Sequence, residues 1–398
     1  MLLRWYGNFR FFTRTFILTL KPMHKRIAEI QSYLQHNDHS LAVRRILDAS
    51  LDTADLSLLK EAIQVSQLYR QYKEAGLPPS FFETANTLLN KINNVTERFT
   101  ESTRLLVTAT EIGKTYGSGN FSLKPISLQV KTGDVLGIVG ENGNGKTTLL
   151  RCMAGQLALD SGELHFPQLQ NPDHYEIKHQ LAFIPQRIPK WYGQLKDNLH
   201  FSAAISGVKG EENTVMVDFM LERLDLTPYA HLTWNQISSG YRTRFEIARI
   251  LLQKPKLLIL DEPLANLDIN AQQSILTDLR FMAKSVHNPM GILLSSQQLH
   301  EVEKIADTVL LIKKGSCLFR TGEQEKTATA FVIELETTAN RDQLLTVLAA
   351  QGELQFNGGF YTINSATLPA QEILTKLVTA GIPISYFRDI THSTKRFI

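Results

Sequence analysis

Two short stretches of the 398-residue chain hold the residue types that phosphate chemistry needs. Gly140-Glu-Asn-Gly-Asn-Gly-Lys-Thr147 fits G-x-x-x-x-G-K-[ST] at every fixed position. Glycines in such a loop let successive backbone N–H groups turn inward around phosphate oxygens, and the positive end of the following helix adds to them. Gly140, Glu141, Asn142, Gly143, Asn144, Gly145 and Thr148 then form the cradle. Lys146 reaches the outer phosphates, and the Thr147 hydroxyl ligates Mg²⁺. The second stretch, Leu257-Leu-Ile-Leu-Asp-Glu-Pro263, runs four apolar residues into two adjacent carboxylates. That pair is costly inside a protein unless a cation or a reacting water uses it. With the phosphate loop present, Asp261 is expected to hold Mg²⁺ and Glu262 to polarise the attacking water.

These residues need strands and helices to place them. Asp134 to Gly140 is a strand leading into the loop, and Thr148 to Ala154 a helix leading out. Ile126 to Val130 alternates like a half-buried strand, whereas Leu257 to Leu260 and Gly291 to Leu294 are short apolar runs suited to the centre of a parallel sheet. Thr308 to Ile312 is a further strand, closed by Lys-Lys-Gly315. Ahead of this α/β region the pattern is helical. Leu58, Ala62, Val65, Tyr69 and Tyr72 form one stripe between Asp52 and Ala75. Gly76-Leu-Pro-Pro79 stops that helix, and Ser80 with Glu83 predicts a capping box for the next, whose face is Phe81, Phe82, Ala85, Leu88, Leu89 and Ile92. Behind it come a strand at Phe331 to Glu336, a helix at Arg341 to Gln351, two strands joined at Asn357-Gly-Gly359, a helix at Leu368 to Ala380 and a strand at Ile384 to Phe387. That order, βαββαβ, is the split βαβ arrangement of a ferredoxin-like unit.

Composition bounds the rest. Hydrophobic residues at 43% and charged residues at 20% exclude wholesale disorder and a disulfide scaffold. Forty-two basic against 39 acidic side chains leave +3, too balanced for a nucleic-acid coat, and no nucleic-acid partner is expected. Cys152 and Cys317 lack metal-ligand spacing, so a reduced, cytoplasmic protein is the default. Arg4, Arg10, Arg14, Lys21, Lys25 and Arg26 precede the first acidic residue. This basic, aromatic leader has two readings: a segment lying on an anionic membrane surface, or untranslated sequence ahead of a start at Met23. The expected division is a leader at 1–23, a helical domain at 24–104, an α/β ATPase domain at 105–325 and a βαββαβ domain at 326–398.

From about Leu105 to Gly322 the chain resembles the nucleotide-binding domain of the ABC (ATP-binding cassette) ATPases. The motifs stand in the family's order. The resemblance places Tyr116 of Lys-Thr-Tyr-Gly against adenine and gives Gln186 of Phe-Ile-Pro-Gln a contact to Mg²⁺. Ile237-Ser-Ser-Gly-Tyr-Arg242 stands in the position of the signature motif, and Leu264-Ala-Asn-Leu-Asp268 resembles the D-loop. The implied fold is a P-loop NTPase domain of ABC type with a helical subdomain. Two departures stand out. The family's Leu-Ser-Gly-Gly-Gln reads Ile-Ser-Ser-Gly-Tyr here: Ser238 and Gly240 are kept for the γ-phosphate held by an opposite subunit, but Ser239 adds a Cβ where positive φ would favour glycine, and Tyr241 adds bulk. Gln297 replaces the usual histidine; it still donates a hydrogen bond but cannot become cationic, so hydrolysis should be slower.

What the resemblance implies is an ATP- and Mg²⁺-dependent ATPase subunit of a membrane transporter, of exporter type. It would work as a homodimer or with a related subunit, and would lie in the cytoplasm against the inner face of the membrane. Closure would reach a separate permease through the region after Gln186, where Pro189-Lys-Trp-Tyr192 offers aromatic side chains either for a docking groove or for internal packing. The alternatives are a soluble ABC ATPase acting on ribosomes or nucleic acid, and a slow ATP-dependent switch.

Overall fold

The computed structural model describes residues 22–95, 103–117, 121–167, 177, 180–265, 267–285, 287–321, 331–348 and 352–391. Most of the basic leader, the 325/326 boundary and the expected end of the helix at Gln351 lie outside them.

Four helices come first: α1 (Pro22–Gln35), α2 (His39–Leu51), α3 (Leu56–Tyr72) and α4 (Pro79–Val95). Local chemistry sets their ends. The Asp38 carboxylate accepts the Leu41 N–H ahead of α2, and Asp55 accepts those of Ser57 and Leu58 ahead of α3. α3 therefore starts inside the stretch that its apolar stripe marks out. The expected capping box of α4 is not formed, because Pro79 takes the first helical position and Ser80 the second. Proline's fixed φ suits that place, and its missing N–H would have had no helical acceptor. Leu58, Ala62, Val65, Phe81, Ala85, Leu88, Leu89 and Ile92 are all buried, and they share one apolar core with the α/β region that follows.

That region contains β1 (Leu105–Thr115), β2 (Ser122–Lys131), β3 (Val135–Val139), α5 (Lys146–Met153), β4 (Ser161–His165), β5 (Leu181–Ile184), α6 (Leu195–Ile205), α7 (Gly210–Arg223), α8 (Ser239–Leu251), β6 (Leu257–Leu260), α9 (Ile269–Ala283), β7 (Gly291–Ser296), α10 (Leu299–Glu303), β8 (Thr308–Lys313) and β9 (Ser316–Arg320). Two sheets result. The antiparallel one has the order β2-β1-β4, and the other runs β5-β6-β7-β3-β8-β9, parallel except at β9. Every residue of β3, β6 and β7 is buried, as continuous apolar runs require when both faces of a parallel sheet are covered. The register sets Leu136 beside Leu293 and Leu258 beside Ile292, so the carboxyl ends of β3, β7 and β6 open on one edge. Ligands of open α/β sheets bind at such an edge.

Buried charge ties α2 to this body. Arg223 Nε of α7 donates to Asp48 Oδ1 at 2.8 Å, Arg45 pairs with the same carboxylate, and the Arg45 guanidinium lies 3.2 Å over the Phe281 ring.

Last come β10 (Phe331–Glu336), α11 (Arg341–Leu348), β11 (Glu353–Asn357), β12 (Phe360–Ser365), α12 (Ala370–Thr379) and β13 (Tyr386–Asp389). The strands form an antiparallel sheet in the order β11-β12-β10-β13, over a core of Ile333, Leu335, Leu344, Ile363, Ile373 and Leu377. The final strand lies two residues beyond its expected position, because pairing with β10 sets its register: Tyr386 opposes Glu336 and Asp389 opposes Ile333. Among the described residues, no helix is long and apolar enough to cross a membrane.

Candidate functional site

The loop after β3 is closed by backbone that only glycine fills. Gly145 caps α5 with φ +104°, and a Cβ there would lie 2.6 Å from Phe121 Cζ. A Cβ on Gly140 would meet the Ile312 carbonyl oxygen at 2.3 Å. Asn144 pins the loop to the β8–β9 turn, its amide oxygen accepting the Lys314 N–H at 2.9 Å and its carbonyl the Gly315 N–H at 3.1 Å. Its side chain thus helps hold the loop in place.

Behind the loop lies a dense polar cluster. Lys146 is 4% exposed; its ammonium donates to the Gly140 carbonyl at 2.7 Å and lies 3.0 Å from Glu262 Oε1. The Thr147 hydroxyl donates to Asp261 Oδ1 at 3.1 Å. Ser295, at the end of the neighbouring β7, donates to the same oxygen at 2.8 Å and accepts the Glu262 N–H at 2.9 Å. Glu262 sits at φ +51°, a left-handed conformation rare outside glycine and typical of sites where surrounding contacts dictate the backbone. Its Oε1 is buried and makes no aligned hydrogen bond, so the contact with Lys146 is electrostatic.

A cavity of about 180 Å³ opens in front of this cluster, lined by Phe121, Asn142, Gly143, Gly145, Lys146, Thr147, Thr148, Gln186 and Glu262. Asp261 joins it through Thr147. The set fits Mg²⁺ with a nucleotide: a glycine cradle, one buried ammonium, and a hydroxyl beside a carboxylate as hard oxygen donors. Tyr116 stands at its margin, with its hydroxyl 3.4 Å from Thr148 Oγ1 and its ring against Phe121. Phe121 and Ser295 escaped the sequence reading. Ser295 stands two residues before Gln297, in Leu293-Leu-Ser-Ser-Gln-Gln298, but its part depends on β6 and β7 being neighbours.

Apart from Gln186, which lines that cavity, the remaining residues lie elsewhere. Ser238 caps α8 by accepting the Tyr241 N–H, and Ser239 and Gly240 form its first turn. Ser239 is therefore helical and does not adopt positive φ, so the strain expected from its Cβ is absent. A Cβ on Gly240 would come 3.1 Å from Leu267 Cδ2, so the D-loop packs against this turn. Tyr241 lies on Tyr229, ring centroids 4.0 Å apart; burial, helped by that neighbour, pushes its hydroxyl up to about 12. Gln297 is exposed just past β7, and Gln186 is exposed past β5. The two readings of Pro189 to Tyr192 divide. Trp191 is buried, stacked on Trp234 with its Nε1 donating to Glu246 at 3.2 Å, whereas Tyr192 is 81% exposed. Tyr192 shares a groove of about 370 Å³ with Phe201 and Ile205.

Residues 123–265 match the family model described as ABC transporter. An uncharacterised ABC transporter ATP-binding protein of Bacillus subtilis, YdbJ, is 31% identical over 58% of this chain and 75% of its own length. The methionine import ATP-binding protein MetN of Clostridium acetobutylicum is 33% identical over 53% and 67% respectively. The solved structure of CbiO1 from Clostridium perfringens, part of the ABC transporter complex CbiONQ, aligns over 56% of this chain and 91% of its own at 26% identity, with a TM-score of 0.49. With the glycine cradle, the paired carboxylates and the strand order that unites them, the extent of the matches to YdbJ and MetN means that the chain belongs to the family of ABC transporter ATP-binding proteins.

Proposed function

We propose that this chain hydrolyses ATP to energise a separate membrane permease, with Glu262 as the base, Thr147 and Asp261 as Mg²⁺ ligands aided by Gln186, and Lys146 on the outer phosphates. The observation that carries this reading is the Ser295 hydroxyl, which fixes Asp261 and the Glu262 backbone together at the mouth of the glycine cradle. Mg²⁺, when bound, would neutralise charge on the phosphates. The chain's own residues do the rest. Lys146 balances the charge of Glu262, and Gly140 to Thr148 present N–H groups and the start of α5 to the phosphates. Glu262 takes the proton of the attacking water, while Gln297 orients that water or the terminal phosphate.

Ser238 and Gly240 stand at an exposed helix start and suit the phosphates held by a second chain, which makes the working unit a homodimer or a pair with a related subunit. The groove beside Tyr192, Phe201 and Ile205 is the surface for the permease, with the protein in the cytoplasm against the membrane. A relative named for methionine import favours import over the export expected from sequence. Ribosome- or nucleic-acid-directed action is not favoured, since the aligned relatives are named as transporter subunits.

Sedimentation of Glu262→Gln with and without Mg-ATP tests the paired arrangement. Doubling of the mass with Mg-ATP, lost on adding Ser238→Arg, is expected. A chain that binds Mg-ATP yet stays at monomer mass in the presence of its wild-type copy would refute the homodimer.

A further inference from the structure

A cavity of about 570 Å³ lies between the first helices and the α/β body and shares no lining residue with the cavity at the phosphate loop. Leu51, Leu56 and Leu59 of α2 and α3 form one wall; Met216 and Met220 of α7, Leu251 of α8, Met282 of α9 and Met290 before β7 form the other. Leu59, Met216, Met220, Leu251, Met282 and Met290 are each less than a tenth exposed. An apolar space of this volume lies in the range of small-molecule sites, and four methionines give it walls that repack around differing shapes.

The mouth has a different chemistry. Lys254, Lys256 and His287 stand there with a single acid, Glu212. Lys254 lies 3.7 Å from Glu212, while Lys256 donates to the neutral Asn288 amide oxygen at 2.6 Å. The Lys256 charge therefore has only a neutral hydrogen-bond partner among these lining residues, and it stands at the edge of a methionine- and leucine-lined chamber. An apolar body entering the chamber displaces water from walls that offer it few hydrogen bonds. An anion on the same molecule meets the lysine.

We propose that this cavity is a binding site for an amphiphile with an apolar body and one anionic head, the body among the methionines and the head on Lys256. The site also has a route to the rest of the fold. Lys256 immediately precedes β6, which leads into Asp261, and Met290 immediately precedes β7, which holds Ser295 near its far end.

Equilibrium dialysis of the full chain against decanoate, below its micelle threshold, tests the assignment, with decanol and decyltrimethylammonium as neutral and cationic counterparts. One decanoate per chain should bind saturably, at least tenfold more tightly than decyltrimethylammonium. Lys256→Gln should weaken decanoate about tenfold, the loss of one charge-assisted contact, and leave decanol unchanged. Met216→Trp should abolish binding of both by filling the chamber. Leu56→Trp, on the half-exposed wall, serves the same purpose where Met216→Trp does not fold. Non-saturable decanoate binding would overturn the site, as would binding undiminished by either tryptophan. Equal affinity for the cationic counterpart, or indifference to Lys256→Gln, would overturn the anionic head. No outcome depends on ATP hydrolysis, so the result is independent of the function proposed above.

Discussion

Ser295 donates its hydroxyl proton to Asp261 Oδ1 at 2.8 Å while its oxygen accepts the Glu262 N–H at 2.9 Å. One side chain on β7 thus positions the end of β6, where the proposed metal ligand and base stand one residue apart. Ser295→Ala removes both contacts and leaves a buried carboxylate with one partner fewer, at a cost of about 1–3 kcal/mol in stability. Small displacements at a reacting centre are costly, so kcat should fall on the order of ten- to a hundredfold, with a raised Mg²⁺ requirement. Ser295→Thr, which keeps the hydroxyl, should recover most of the rate. Steady-state kinetics over a Mg²⁺ series checks both variants.

Two glycines of the loop separate backbone strain from steric closure. Gly143 has φ +79° with no atom within 4 Å of an added Cβ, whereas Gly145 combines φ +104° with Phe121 Cζ at 2.6 Å. Gly143→Ala should cost about 1–2 kcal/mol, the left-handed penalty alone, and weaken nucleotide binding by roughly tenfold. Gly145→Ala must also displace Phe121 from the cavity wall and should abolish measurable binding. Calorimetric titration with Mg-ATP distinguishes them; equal losses would contradict the geometry.

The first helices are held on the ATPase body by buried charge, and Asp48 is its centre. Burial disfavours the charge of the Arg45 guanidinium, and the Asp48 carboxylate is the largest influence opposing that effect. Asp48→Ala leaves Arg45 and Arg223 with Asp278, 3.8 Å from Arg45, as their remaining acidic neighbour, so the loss should reach at most about 3–5 kcal/mol, that of a fully broken buried pair. Urea unfolding should show that loss. Lys60→Ala removes an exposed pair with Glu211 and should change stability by less than about 1 kcal/mol.

The cap of α3 gives a pH signature. The Ser57 hydroxyl and N–H hold the Asp55 carboxyl below the ordinary carboxylate range. The charged cap is therefore favoured in the folded state. Its contribution is complete above the unfolded Asp value and is lost as pH falls through the lower folded one. Asp55→Ala should cost about 1 kcal/mol near neutral pH, and the gap to wild type should narrow in acid. Denaturant midpoints between neutral and strongly acid pH read this directly; a gap that widens in acid would contradict it.

Local chemistry was more legible than partnership. The spacing of Gly140 to Thr147 places a loop between strand and helix without any tertiary information, and Leu257 to Glu262 likewise announces a buried strand ending in carboxylates. Ser295 was not legible as their bridge, because it stands 34 residues from Asp261 and meets it only through the pairing of β6 with β7. The conformation of Ser239 was misread for a related reason: a family habit of glycine suggested positive φ, but Ser238 caps the helix and makes Ser239 its first residue. Trp191 and Tyr192 are adjacent and similar in character, yet stacking on Trp234 buries one and leaves the other exposed. The stripes of α3 and α4 were plain, but not that they would share a core with α7.

The proposed base is tested most directly by ATP turnover of the purified chain, wild type beside Glu262→Gln, across a concentration series. Wild-type turnover per chain should rise with concentration, as a site completed by a second copy requires. Glu262→Gln should lose at least about a hundredfold in rate while still binding Mg-ATP. Hydrolysis by Glu262→Gln at the wild-type rate would contradict the assignment of Glu262 and the mechanism built on it.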